Sequence, residues 1–146
     1  MDSAITDVAS IRDAESILRD KGLYQELRTL ASEIGESGAD STERKERFKA
    51  FGWKLEYGYS IGSNRPRFDA FKNRVGVEYE RREQMNVRSH LLMMEAAYRK
   101  DLIDVGVFII PSGRDASVSR TENELRDELF TYYFPLYSPV FLIEHE

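Results

Sequence analysis

Val105-Gly106-Val107-Phe108-Ile109-Ile110 forms a nearly unbroken apolar run closed by Pro111. A strand of that composition is buried on both faces, so it needs flanking strands and a helical layer above and below. The rest of the chain supplies such elements. Residues 4–19 predict a helix through Val8, Ile11, Ile17 and Leu18, and 23–34 a second through Leu23, Leu27, Leu30 and Ile34, with Gly22 between them. Gly35 to Asp40 is expected to be a loop, and Ser41 or Thr42 to cap a short helix ending at Ala50 and Gly52. Trp53 to Ser60 alternates as a strand, followed by the turn residues Gly62-Ser63-Asn64 and a hairpin around Lys72-Asn73. Val87, Leu91, Met94 and Tyr98 carry a helical apolar stripe over about 85–100. Residues 120–133 predict another helix, and Val140 to Ile143 a last strand. A three-strand meander followed by helical crossovers implies a mixed α/β sheet with helices on both faces.

Size and composition fit one domain: 146 residues, 41% hydrophobic, with N-terminal helices over 1–34 and a core from about 41 to 146. No apolar run nears the ~20 residues that cross a bilayer, and no charged-then-apolar leader opens the chain. A cytoplasmic protein without membrane contact is expected. With Cys 0 and His 2, thiolate metal sites, thiol nucleophiles and purely histidine-based zinc sites are excluded. No phosphate-cradling glycine motif surrounds Gly62, Gly106 or Gly113, and no G-x-S-x-G elbow occurs.

The chemistry concentrates between Arg67-Phe68-Asp69 and Val75-Gly76-Val77-Glu78-Tyr79-Glu80. Alternation puts Glu78 and Glu80 on one strand face and Val75, Val77 and Tyr79 on the other. With Lys72-Asn73 as the turn, Asp69 faces Gly76 on the acidic face, and the missing side chain leaves room beside it. Three carboxylates on an otherwise apolar strand pair repel one another, and a cation relieves that repulsion.

Net charge is uneven. Residues 1–43 carry −6, residues 44–88 carry +6 and residues 89–146 carry −5. The acids therefore sit inside the one basic segment, with Arg44, Lys45, Arg47 and Lys49 on one helix and Arg65, Arg67, Lys72, Arg74, Arg81, Arg82 and Arg88 around the carboxylates. That belt suits a polyanion held against metal ions. Taken alone, the 44–49 run is equally a solvated, salt-bridged helix face. His90 could act as a general base, but a solvent-facing or hydrogen-bonded structural role is the commoner one. Tyr132, Tyr133, Phe134 and Tyr137 suit nucleotide stacking or, more commonly, a core or an interface.

The α-βββ-α-β series with its D-x8-E-x-E spacing resembles the PD-(D/E)xK nucleases of the restriction-endonuclease-like fold. Asp69 matches the family's first acid and Glu78-Tyr79-Glu80 its (D/E)-x-K element, with Glu80 where most members carry Lys. Glu or Gln there resembles the BamHI and BglII branch of type II restriction enzymes. Arg67-Phe68-Asp69, Val77 to Glu80, Asn86-Val87-Arg88-Ser89 and Val107 to Pro111 look like BglII-type segments in matching order. The β-rich region that such enzymes place after the core looks absent, which bears on sequence recognition more than on chemistry.

The resemblance implies Mg²⁺-dependent hydrolysis of double-stranded DNA, with Mn²⁺ as a substitute, by a homodimer in a prokaryotic host. Asp69, Glu78 and the Tyr79 carbonyl would hold the metal. Glu80 would orient or deprotonate the attacking water, or bind a second metal. Arg81, Arg82, Asn86 and Arg88 would contact DNA, and Glu43 is a further candidate acid. A low-specificity defence nuclease and a non-catalytic DNA-binding subunit are the alternatives. An inactive scaffold would have no reason to keep three repelling acids.

Overall fold

The computed structural model describes residues 4–37, 41–80, 87–112, 118–126 and 135–146. Its elements, in chain order, are strand β1 (Ile5–Ile11), helices α1 (Ala14–Asp20), α2 (Tyr24–Ser37) and α3 (Ser41–Ala50), strands β2 (Lys54–Gly58), β3 (Arg67–Lys72) and β4 (Val75–Tyr79), helix α4 (Val87–Arg99), strand β5 (Val105–Pro111), helix α5 (Val118–Arg126) and strand β6 (Val140–His145). They form one six-stranded sheet in the order β1-β6-β5-β4-β3-β2. Strands β4, β5 and β6 run parallel, and both edges are closed by antiparallel pairs.

Strand β5, the apolar run, is buried along its whole length near the middle of this sheet. Its two faces look into different cores. Phe108 and Ile110 pack with Leu91, Met94 and Ala97 of α4 and with Val118 and Leu125 of α5. Val105, Val107 and Ile109 pack with Ala14 and Leu18 of α1, Leu27, Leu30 and Ile34 of α2, and Phe48 of α3. Helices cover both faces, and the alternation along β5 divides the cores.

Four expectations are corrected. Residues 5–11 are strand β1, not the start of a helix, and only Ala14–Asp20 is helical in that stretch. Ile5, Val8 and Ile11 fall at helical spacing, but the left-handed Arg12 and Asp13, φ 53 and 63, break the chain there. As a strand the segment pairs with β6 from Ile5↔His145 to Ile11↔Val140, satisfying a backbone edge that would otherwise be bare. Helix α2 continues through the predicted loop to Ser37. The hairpin turns at Asn73-Arg74 rather than at Lys72-Asn73, because both turn residues adopt positive φ, 45 and 62, as a type I′ turn requires. That pairs Lys72 with Val75, Phe71 with Gly76 and Ala70 with Val77. Finally, α5 begins at Val118 and is described to Arg126; the rest of its predicted span, with Tyr132, Tyr133 and Phe134, lies outside the described residues.

Two glycines make room for close packing, Gly106 for α4 and Gly76 for the neighbouring strand β3. A Cβ on Gly106 would lie 2.2 Å from the Met94 sulfur, and one on Gly76 2.6 Å from the Phe68 ring. The space expected beside Asp69 at Gly76 is thus filled by Phe68, and it is not open to a ligand.

Candidate active site

The acids meet where β3 and β4 leave regular pairing. Phe68 and Phe71 share the α4-side core while Ala70 faces the opposite core, so strict alternation fails around Asp69. On the neighbouring strand, Leu55↔Ala70 and Tyr57↔Phe68 bracket Glu56, whose φ is 49. The β2–β3 register is the same on both sides of this distortion, so no residue is inserted; the positive φ of Glu56 marks a local twist of the pair beside Asp69. Asp69 is re-aimed onto β4, where the Tyr79 N–H donates to its Oδ2 at 2.7 Å.

Glu78 hydrogen-bonds Asp69 and is nearly buried, 8% exposed. Burial, then the Asp69 charge and hydrogen bond, then the Glu80 charge push its carboxyl up to about 9. It therefore holds a proton at neutral pH, shared toward Asp69. Burial and the nearby Glu78 also push the Tyr59 hydroxyl up to about 12. Glu80 extends the sheet, its N–H donating to the Ile109 carbonyl at 2.9 Å, and its side chain is buried. The His90 Nδ1 of α4 donates to Glu80 Oε1 at 2.5 Å, and that hydrogen bond raises the imidazole above its ordinary value.

Tyr79 points to the other sheet face. Its hydroxyl donates to His145 Nε2 at 2.9 Å, while His145 Nδ1 donates to the Glu146 carbonyl at 2.7 Å. The Arg44 guanidinium of α3 lies over the Tyr79 ring, 4.1 Å from its centroid.

Asp69, Glu78 and Glu80 are thus brought together by contact or by charge. Glu43 is exposed in the first turn of α3, and Arg88 is exposed in the first turn of α4. Arg81, Arg82 and Asn86 lie outside the described residues. Part of the basic belt is spent on neighbours: Lys45 pairs with Glu56 at 3.0 Å, Arg47 with Glu33 at 3.1 Å, and Arg74 with Asp101 and Asp104 at 2.6 and 3.0 Å. His90 is hydrogen-bonded and partly exposed, in line with the structural role expected from sequence, but the sequence alone does not name its carboxylate partner. The position of His90, three after Val87 and four before Met94, lies on the buried stripe of α4, and a histidine there needs a polar partner.

Among the described residues, no three acids or histidines stand ready to enclose a metal ion. The donor chemistry nevertheless fits one. Asp69 and Glu78 are hard oxygen ligands, and a divalent cation would offset the burial and the Asp69 charge that push the Glu78 carboxyl up.

The sequence profile of the restriction endonuclease BglII/BglIII family matches residues 6–126. The chain belongs to that family. A crystal structure of the restriction endonuclease BglII complexed with a DNA 16-mer matches with a TM-score of 0.74 and 14% identity, over 96% of this chain and 77% of that one. At that identity the likeness speaks for the fold, and it agrees with the mixed sheet flanked by helices described above. No curated protein sequence matches the chain. The BglII-family match spans all three acids and His90. No described helix is long and apolar enough to cross a membrane.

Proposed function

We propose that this chain is a Mg²⁺-dependent endonuclease that hydrolyses phosphodiester bonds of double-stranded DNA, a type II site-specific enzyme of the BglII type acting as a homodimer. The observation that carries it is the buried Glu78 carboxyl hydrogen-bonded to Asp69, with buried Glu80 two residues on along the same strand direction, in a member of a restriction endonuclease family. A repulsive acid cluster at the end of a central strand weakens folding, and a cation-dependent site gives it a purpose. Asp69 and Glu78 would hold Mg²⁺ or Mn²⁺, with the Tyr79 carbonyl as a further ligand. When bound, the ion supplies Lewis acidity to the phosphate and neutralises charge on the departing 3′ oxygen.

The chain's own residues do the rest. The Tyr79 N–H holds Asp69 in one orientation, so the carboxylate does not swing toward solvent. The hydrogen bond to His145 and the Arg44 contact fix Tyr79 from behind. Arg88, with Arg81, Arg82 and Asn86, would contact the DNA backbone and bases. One site makes one cut, so two copies related by a two-fold axis are the natural arrangement for cutting both strands in one encounter. The exposed Leu92 and Tyr137 border one groove with Ala96, Pro135 and Leu136, beside the charged pair Glu95 and Arg99. A groove with the exposed Arg99 at its rim and Glu95 buried behind it suits a second copy meeting it about a two-fold axis.

Plasmid cleavage with Mg²⁺ or EDTA, beside Asp69→Ala and Glu78→Ala, tests the proposal. Discrete Mg²⁺-dependent fragments lost in both variants are expected. A smear lost in both would favour a low-specificity nuclease. Tight DNA binding without cutting would sink the enzyme reading and favour a non-catalytic subunit.

A further inference from the structure

The three acids are not equally placed to meet a substrate. The Glu80 side chain is 1% exposed, whereas His90, hydrogen-bonded to it, is 31% exposed. A carboxylate so covered is poorly placed to meet bulk water or a phosphate directly, whereas its hydrogen-bonded partner His90 is partly exposed. Imidazole carries its two nitrogens on opposite sides of the ring, so with Nδ1 donating to Glu80, Nε2 is directed away from it. The ring also packs near Phe108, with centroids 6.4 Å apart and planes 26° from parallel, which restricts its rotation. A buried carboxylate behind a partly exposed imidazole is the arrangement by which proteins fix one histidine nitrogen and aim the other.

We propose that His90 is the member of this pair that meets the DNA, contacting a phosphate oxygen beside the cut through Nε2, and that Glu80 is the positioning carboxylate that holds its ring. The inference rests on the proposed nuclease function and reassigns the third acid within it. Glu80 acts through His90 and not directly on the attacking water. His90 supplies a hydrogen bond where charge builds on the phosphate, and contacts of that kind are worth roughly 10²-fold in rate.

Single-turnover cleavage with saturating protein separates the roles. His90→Ala is expected to lower the rate roughly 10²-fold with DNA affinity changed only a few-fold. His90→Gln, whose amide reaches the Nε2 position, recovers more rate than His90→Asn, whose amide reaches Nδ1. Glu80→Gln, which still accepts from Nδ1, keeps most of the rate that Glu80→Ala loses. The proposal is overturned if His90→Ala cuts like the wild type while Asp69→Ala is inactive. It is also overturned if Glu80→Gln is as inactive as Glu80→Ala, or if the whole His90→Ala loss lies in DNA affinity.

A second measurement needs no cutting. With His 2 in the chain, histidine-ring ¹H–¹⁵N spectra are readily assigned. A short duplex added with Ca²⁺ in place of Mg²⁺ should move the His90 Nε2 resonance in the wild type and not in Glu80→Ala. An unmoved resonance in DNA-bound wild type overturns the proposal, whether or not plasmid is cut. Failure of the wild type to cut would remove the nuclease reading, while these spectra would still decide the DNA contact.

Discussion

Glu78 shows what the site demands of single residues. An unfolded chain ionises it near 4.5, whereas the folded chain keeps its proton up to about 9. Between those values the native state binds the extra proton, so the contribution of Glu78 to stability falls as pH rises. Below the lower value the penalty is absent, and above the upper one it is complete. Glu78→Gln should therefore melt at a higher temperature than the wild type near pH 8, with the gap closing toward pH 5. A gap independent of pH would show that Glu78 ionises normally. Adding Mg²⁺ near pH 8 should raise the wild-type midpoint and leave Asp69→Ala unmoved, because the ion takes the place of the shared proton.

At the scale of elements, the seat of α4 on the sheet decides whether His90 reaches Glu80. That seat depends on Gly106 of β5, against which Met94 of α4 packs, while the aligned Gly76 of β4 makes room for Phe68 of β3. Gly76→Ala would drive a methyl into the Phe68 ring and should cost about 1–3 kcal/mol. Gly106→Ala meets the flexible Met94 and should cost less. Chemical denaturation of both variants checks the order; equal costs would mean that Phe68 yields as readily as Met94. Strand β1 illustrates a different lesson. Ile5, Val8 and Ile11 satisfy a helical stripe, yet as a strand Val8 joins one core and Ile11 the other. The bare edge of β6 outweighed local periodicity.

For the whole molecule, charge and assembly are the testable properties. Six excess positive charges between residues 44 and 88 should make DNA affinity fall steeply with salt, the slope counting the phosphates neutralised. Ion pairs already occupy Lys45, Arg47 and Arg74, so that slope should be smaller than the basic residue count suggests. Leu92→Glu should shift sedimentation from dimer to monomer and abolish double-strand cutting before single-strand nicking. A Leu92→Glu protein that sediments as the wild type does would place the dimer surface elsewhere.

The chain by itself determined the covered central strand, the meander beside it and the acids of the D-x8-E-x-E spacing. Each follows from local rules: an apolar run, period-two alternation and turn residues that accept positive φ. Tertiary structure decided the rest. Pairing with β6 made residues 5–11 a strand, a local distortion of β3 aimed Asp69 at the Tyr79 N–H, and the seat of α4 brought His90 onto Glu80. These depend on partners distant along the chain, and the energy that selects them exists only once the sheet has formed.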